Sequence, residues 1–431
     1  MTKKPNVIVF FTDQQRWDTT GVHGNPLGLT PNFDRMALEG THVYNSFTCQ
    51  PVCGPARSSL QTGKYATTTG CHVNGIPLSE DARTLAHYFN EAGYETGYIG
   101  KWHLASGTGA VPEHMRGGYR YWLASNCLEL TSDAYDTVVY NNENEAVKLP
   151  GYRVDALTDA AIRYIDQKKD DPFFLFLSYL EPHHQNSWDN YPAPKGYEGR
   201  YGGGQYVPTD LAALGGTTHA HLAGYYGMVK RLDEALGRIQ DALTSLNLYD
   251  DTIILFTSDH ACHFKTRNYE YKRSCHESSI RVPTAFSGGF FRSGGRLQEL
   301  VSLVDLPPTL LDAAGIPVPD DMQGRSILPL LSKETKEWPQ EVFVQISESQ
   351  VGRAIRTKRW KYSVTSPASN KGSSDQYIED FLYDLQSDPY ELNNLITSKY
   401  HASVREELRE TLIRRMLEAG EEAPVILPAD K

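Results

Sequence analysis

The chain has 431 residues, with 42 lysines and arginines against 53 aspartates and glutamates, a formal charge of −11. Its 40% apolar and 22% charged residues are the composition of a folded globular protein with a sizeable core. The acidic balance excludes a general nucleic-acid or membrane-surface binder, whose field is positive, and no apolar run approaches the roughly 18 residues of a membrane span.

Met1-Thr2-Lys3-Lys4-Pro5 leads into five apolar residues, Val7 to Phe11. A secretory signal needs about 7–15, so the sequence as written predicts a cytoplasmic protein, or a periplasmic or secreted one whose signal has been removed. Residues 6–11 form a continuous β-branched and aromatic run, the mark of a strand buried on both faces of a parallel sheet. Thr30-Pro31 starts a helix that Gly40 ends. A helix over Leu85–Ala92, closed by Gly93, precedes a strand at Thr96–Ile99. Arg153–Lys168 reads as helix and Pro172–Tyr179 as a second buried strand. Residues 185–214, rich in Gly, Pro, Tyr and Asn, read as a long surface excursion of the kind that is often functional. A helix over Thr218–Leu246 leads into a third strand at Thr252–Thr257. Helices alternating with strands predict an α/β sandwich with a mainly parallel sheet. After Leu331 the texture changes. Glu341–Ile346, Gly352–Val364 and Phe381–Leu385 read as short strands and Ala402–Ala419 as a closing helix. The division expected is a catalytic α/β domain over 1–335 and a small α+β subdomain with an antiparallel sheet over 336–431. The six cysteines are sparse, lack a C-x-x-C pair and do not form a disulfide pattern.

Open α/β sheets place ligands at the carboxyl ends of their strands, and here each apolar strand ends in a polar cluster. The first gives Asp13-Gln14, the second Glu181-Pro182-His183-His184, the third Asp259-His260. Two carboxylates, an amide oxygen and an imidazole can hold a divalent cation, although an acid at a strand end also reads as a helix cap or a solvated loop residue. Cys53-Gly-Pro55-Ala-Arg57, with Gly63 six residues further on, matches C-x-P-x-R, the motif at which type I sulfatases have a cysteine oxidised to formylglycine. Asp13-Gln14, Gly100-Lys101-Trp102-His103, Pro182-His183, Asp259-His260, Lys272 and Tyr383-Asp-Leu…Asp388-Pro-Tyr-Glu-Leu392 follow in that family's order, so the chain resembles type I sulfatases over nearly its whole length. The bacterial carbohydrate sulfatases are the nearest in character.

The resemblance implies an alkaline-phosphatase-like fold and hydrolysis of a sulfate ester, in which one hydroxyl of an aldehyde hydrate at position 53 attacks sulfur and the other expels sulfate. That divides one hard step into two. It further implies a cation, usually Ca²⁺ and with Mg²⁺ an alternative, held by Asp13, Gln14, Cys53, Asp259 and His260. The hard oxygen ligands agree with that choice. Gln14 departs from the family's usual aspartate, which removes one negative charge. Arg57, Lys101 and Lys272 would surround the sulfate. His103 resembles the group that deprotonates the hydrate, and His183 the acid that protonates the leaving alcohol. A formylglycine-generating enzyme would be needed for maturation. His184, Gln185, Asn186 and Trp188 suit sugar hydroxyls and sugar stacking. Lys265 and Arg267 read either as solvated charges or as contacts to an anionic sugar. The substrate expected is therefore a sulfated poly- or oligosaccharide. Two rivals stand beside it: a phosphonate or phosphate ester hydrolase on the same fold, for which a single evident cation site is unfavourable, and an inactive Ca²⁺-dependent binder of sulfated glycans. Sugar identity, sulfate position and oligomeric state carry no signature in the sequence.

Overall fold

In the computed structural model, which describes residues 4–202, 206–292, 295–332, 337–366 and 372–429, the first apolar run is the strand Asn6–Thr12, buried along its whole length. Thr252–Ser258 and Phe173–Ser178 flank it in parallel, with Val7 opposite Ile253 and Phe174. Glu95–Lys101 and Tyr121–Ser125 continue the parallel series. The hairpin of Thr137–Tyr140 and Ala146–Leu149 closes one edge. At the other lie Ala285–Ser287, Thr41–Phe47 and Arg296–Ser302, so that the sheet has ten strands among the described residues.

Side chains alternate along the central strands and build two cores. Val7, Val9, Phe11, Phe174 and Phe176 pack beneath helices Cys53–Thr62, Leu85–Glu91 and Leu306–Ala313. Ile8, Phe10, Leu175 and Leu177 pack against Pro31–Glu39, Arg153–Gln167 and Thr218–Ser245. This is the α/β sandwich that the resemblance implies. A second sheet of five strands is antiparallel from Glu341–Ile346 through Gln376–Asp384, and only its last pair, with Val425–Leu427, is parallel. Leu408, Leu412 and Met416 of helix Ala402–Glu418 join Phe343, Ile355 and Tyr362 in a core continuous with one face of the large sheet. The expected boundary near 335 falls in residues 333–336, outside the described ones.

Three local expectations change. Residues 352–364 are two strands, Gly352–Thr357 and Trp360–Thr365, because a turn reverses the chain and pairs Arg356 with Lys361. The strand expected at 381–385 is longer, Gln376–Asp384. The excursion after Gln185 contains short helices Tyr197–Tyr201 and Thr209–Ala212, with residues 203–205 outside the described ones. Among the described residues no helix is long and apolar enough to cross a membrane.

Candidate active site

The carboxyl ends of the four central strands Thr252–Ser258, Asn6–Thr12, Phe173–Ser178 and Glu95–Lys101 converge on the start of helix Cys53–Thr62. Pro55 sits in the first turn, where a missing N–H costs nothing, and Gly63 ends the helix at φ 69°. Four residues apart on a helix, Cys53 and Arg57 share a face. The Gly54 N–H beside the cysteine donates to Asn74 Oδ1 at 2.8 Å.

Asp13 directly follows Asn6–Thr12. Its Oδ2 accepts from Lys101 Nζ at 2.8 Å and from Arg57 Nη2 at 2.9 Å. Burial and the Cys53 sulfur raise its proton affinity, but Lys101, His183 and Arg57 outweigh them and hold the carboxyl well below the usual range. Asp259, after Thr252–Ser258, accepts from the backbone N–H groups of Gln14 at 3.0 Å and His260 at 2.9 Å through Oδ1. Burial and the neighbouring Asp13 carboxylate push it upward. The ligand atoms of Asp13, Cys53, Asp259 and His260 lie within 4.8 Å of one another and all four residues are buried.

Gln14 takes a left-handed backbone, φ 70°. Its Nε2 donates to Tyr191 Oη at 3.3 Å and Cys262 Sγ at 3.2 Å, which leaves a buried Oε1 with no hydrogen-bond partner. A buried acceptor left unpaired costs about 1–3 kcal/mol. An orphaned amide oxygen, two close carboxylates and an imidazole fit a hard divalent cation, which would satisfy the oxygen and relieve the repulsion between the acids.

Cationic groups enclose position 53. Lys272 Nζ donates to Cys53 Sγ at 2.8 Å and lies 3.3 Å from His183 Nε2 and 3.1 Å from His260 Nε2. Burial raises the thiol's proton affinity, but Lys101, Lys272 and His260 overcome it and bring the group well below the usual thiol range. His183 donates from Nδ1 to the His184 carbonyl at 2.6 Å, which leaves Nε2 facing the site. His103, at φ 60°, lies half-buried beside the sulfur. Burial and Lys101 would lower its basicity, yet Cys127, Cys53 and Glu129 push it up to about 9.

The ten residues Asp13, Gln14, Cys53, Arg57, Lys101, His103, His183, Asp259, His260 and Lys272 thus share one centre, buried in all but His103, which is half-buried. His184 adjoins it, with its ring 4.3 Å from that of His183, and burial next to His183 and Lys272 keeps it neutral. Two expected contacts do not join the centre. Lys265 is paired with Asp189 at 2.9 Å, and Arg267 donates to the carbonyls of Glu391 and Tyr390 at 2.7 and 2.6 Å, which ties it to the C-terminal region. Sequence reasoning missed Glu129, which lies 2.9 Å from Lys101 Nζ and 3.9 Å from His103 Nδ1. Its only sequence signal is an acid between two leucines.

The profile of the family described as Sulfatase matches residues 5–316, and that described as N-sulphoglucosamine sulphohydrolase, C-terminal, matches residues 267–418. An ulvan-active sulfatase of Formosa agariphila is 31% identical over 97% of this chain and 82% of its own. An N-acetylglucosamine-6-O-sulfatase of Bacteroides thetaiotaomicron is 25% identical over 95% of this chain and 86% of its own. The crystal structure of a phosphonate monoester hydrolase of Agrobacterium radiobacter superposes with a TM-score of 0.75 at 23% identity and covers 96% of both chains, a likeness of fold.

Proposed function

The chain belongs to the sulfatase family and is a sulfuric ester hydrolase, and on that footing we propose that it desulfates a carbohydrate through a formylglycine formed at Cys53 with one divalent cation. The observation that carries this reading is the position of residue 53, at a helix start between two carboxylates and Lys272. Asp13, Gln14, residue 53, Asp259 and His260 would hold the cation, Ca²⁺ or Mg²⁺, which supplies Lewis acidity where the formylglycine supplies a nucleophilic hydroxyl.

The chain's own groups do the rest. Arg57 and Lys101 arrive already oriented by carboxylates and a carbonyl, and Lys272 lies against Cys53 and the rings of His183 and His260, so the three stabilise growing negative charge with little reorganisation. His183 presents Nε2 to the leaving oxygen and holds the proton there, with the Nδ1 bond to the His184 carbonyl fixing the ring. His103, next to Glu129, holds or accepts a proton at residue 53 from another side. We assign 1–335 as the catalytic unit and 336–431 as the C-terminal subdomain.

Two relatives favour a sugar ester, the ulvan-active sulfatase and the N-acetylglucosamine-6-O-sulfatase. The fold shared with a phosphonate hydrolase leaves the choice of bond to chemistry: the single cation site among the described residues favours a sulfate monoester over a phosphate monoester, which carries about one charge more, whereas a phosphonate monoester carries the same single charge and is separated by assay. The test is expression with a formylglycine-generating enzyme, mass analysis of the peptide bearing residue 53, and assay against sulfated oligosaccharides and a phenylphosphonate ester. Conversion with sulfate release, abolished in Cys53→Ala, supports the reading. Conversion with binding and no release favours the inactive binder, and faster turnover of the phosphonate favours the phosphorus rival.

A further inference from the structure

The loop over residues 185–190 holds an exposed tryptophan in one place. Trp188 is 70% exposed. The loop is closed by the Gln185 N–H bonding the Asn190 carbonyl at 2.8 Å and the Trp188 N–H bonding the Gln185 carbonyl at 3.1 Å. Beneath it, the buried Gln185 side chain donates through Nε2 to the carbonyls of Glu129 and Ser132 at 2.9 and 2.8 Å. Beside it, Asp189 accepts from Lys265 Nζ at 2.9 Å and Tyr271 Oη at 2.6 Å, with a left-handed φ of 45°. A non-glycine residue in that region stores strain that its surroundings must hold. A large apolar ring kept in water by a loop anchored on two sides gains nothing for the fold, whereas a preorganised ring lowers the cost of binding.

Trp188 and the 47% exposed Tyr135 line a cleft of about 330 Å³ together with Asp133, Asp136, Gln185 and Asn190. The cleft adjoins the catalytic centre, because one residue, His184, separates Gln185 in its wall from His183, at most roughly 7 Å of chain. Its lining offers apolar faces with polar groups around them, including two carboxylates, of which Asp136 is paired with the exposed Lys148 at 2.6 Å. Lys265 beside the loop is likewise paired, with Asp189. That chemistry suits the C–H face and hydroxyls of an uncharged sugar and disfavours a sulfated or carboxylated one.

We propose that this cleft is a subsite for an uncharged sugar ring, stacked on Trp188 and linked to the sulfated sugar in the catalytic centre. The proposal rests on the carbohydrate reading above and narrows it to substrates of two or more sugars. Sulfated monosaccharides, and di- and tetrasaccharides in which the sulfated sugar is linked to an uncharged one, with nitrophenyl sulfate as reference, are assayed on the parent, Trp188→Ala and Trp188→Tyr. The expected result is a kcat/KM loss in Trp188→Ala about tenfold larger on the di- and tetrasaccharides than on nitrophenyl sulfate, carried by KM and largely recovered in Trp188→Tyr. Equal losses on all substrates, or no loss on the longer ones, overturn the subsite, as does a parent that cleaves sulfated monosaccharides and nothing longer. A parent that cleaves nitrophenyl sulfate but no sulfated sugar overturns the carbohydrate reading itself, a separate outcome.

Discussion

Lys101 lies between two carboxylates, Asp13 at 2.8 Å and Glu129 at 2.9 Å, and is fully buried. Glu129 has one oxygen with no hydrogen-bond partner and also faces His103. Replacing it by glutamine removes a negative charge that supports the protonated form of His103. Folding aside, Glu129→Gln is therefore expected to shift the limb of the pH–rate profile that reports His103 to lower pH, and a limb that stays in place or moves up removes Glu129 from that role. His183 gives a second residue-level test. A sugar alkoxide leaves poorly without a proton and a nitrophenolate leaves well, so His183→Ala should cost about 10²–10⁴ in kcat on a sulfated sugar and far less on nitrophenyl sulfate. Equal losses would assign His183 to binding or support. The main site residues were legible because each lies in a short motif at a strand end or helix start. Glu129 and Asp189 were not, because what makes them matter is contact with residues distant in sequence.

At the scale of elements, the strand Glu95–Lys101 carries Lys101 to its place only because Gly100 lets two strands meet. Gly100 has φ +109°, and a Cβ there would lie 1.9 Å from the Ser178 carbonyl oxygen. Ser178 in turn accepts from Arg57 Nη1 at 2.8 Å. Gly100→Ala must therefore part the strands or bend the backbone, at a cost of about 3 kcal/mol or more, and it displaces Lys101 and Arg57 together. Urea unfolding should show the loss, and a variant with parental stability and turnover would mean that the ladder yields more easily than its geometry implies. The central strands could be read from the chain because full burial demands unbroken apolar runs. Thr41–Phe47 could not, since its mixed residues become a strand only through partners more than 200 positions away, Ala285–Ser287 and Arg296–Ser302. The hairpin at 137–149 was lost for a similar reason, with strands of four residues each and exposed positions among them.

Across the whole molecule, the C-terminal region helps to build the centre. Glu348, after the strand Glu341–Ile346, bonds the Asn74 N–H and the Arg273 guanidinium, and so links the segment that holds Gly54 to the loop that carries Lys272. Side chains of the two sheets share one core, so the pH dependence of stability is expected to be common to both. Two sets of buried groups pull that response in opposite directions. Burial raises Asp233, Asp305 and Asp380 to about 6, so they favour the folded state as pH falls toward the unfolded value. Burial lowers His42 to about 4 and His263 to about 3, so below pH 6.5 the unfolded chain binds protons that the folded one refuses. A comparison of variants isolates one term. His42, on Thr41–Phe47, meets the ring of His23 at 4.7 Å and that of Tyr44 at 5.8 Å, and Arg281 and Arg296 add positive charge nearby. Its depressed basicity gives stability that is complete above pH 6.5 and drains away as pH falls toward 4. Between pH 7.5 and 5.0 the parent should lose about 2 kcal/mol more than His42→Gln in urea melts. A parent-to-variant difference that is the same at both pH values would mean that His42 titrates in the folded protein as it does in the unfolded chain.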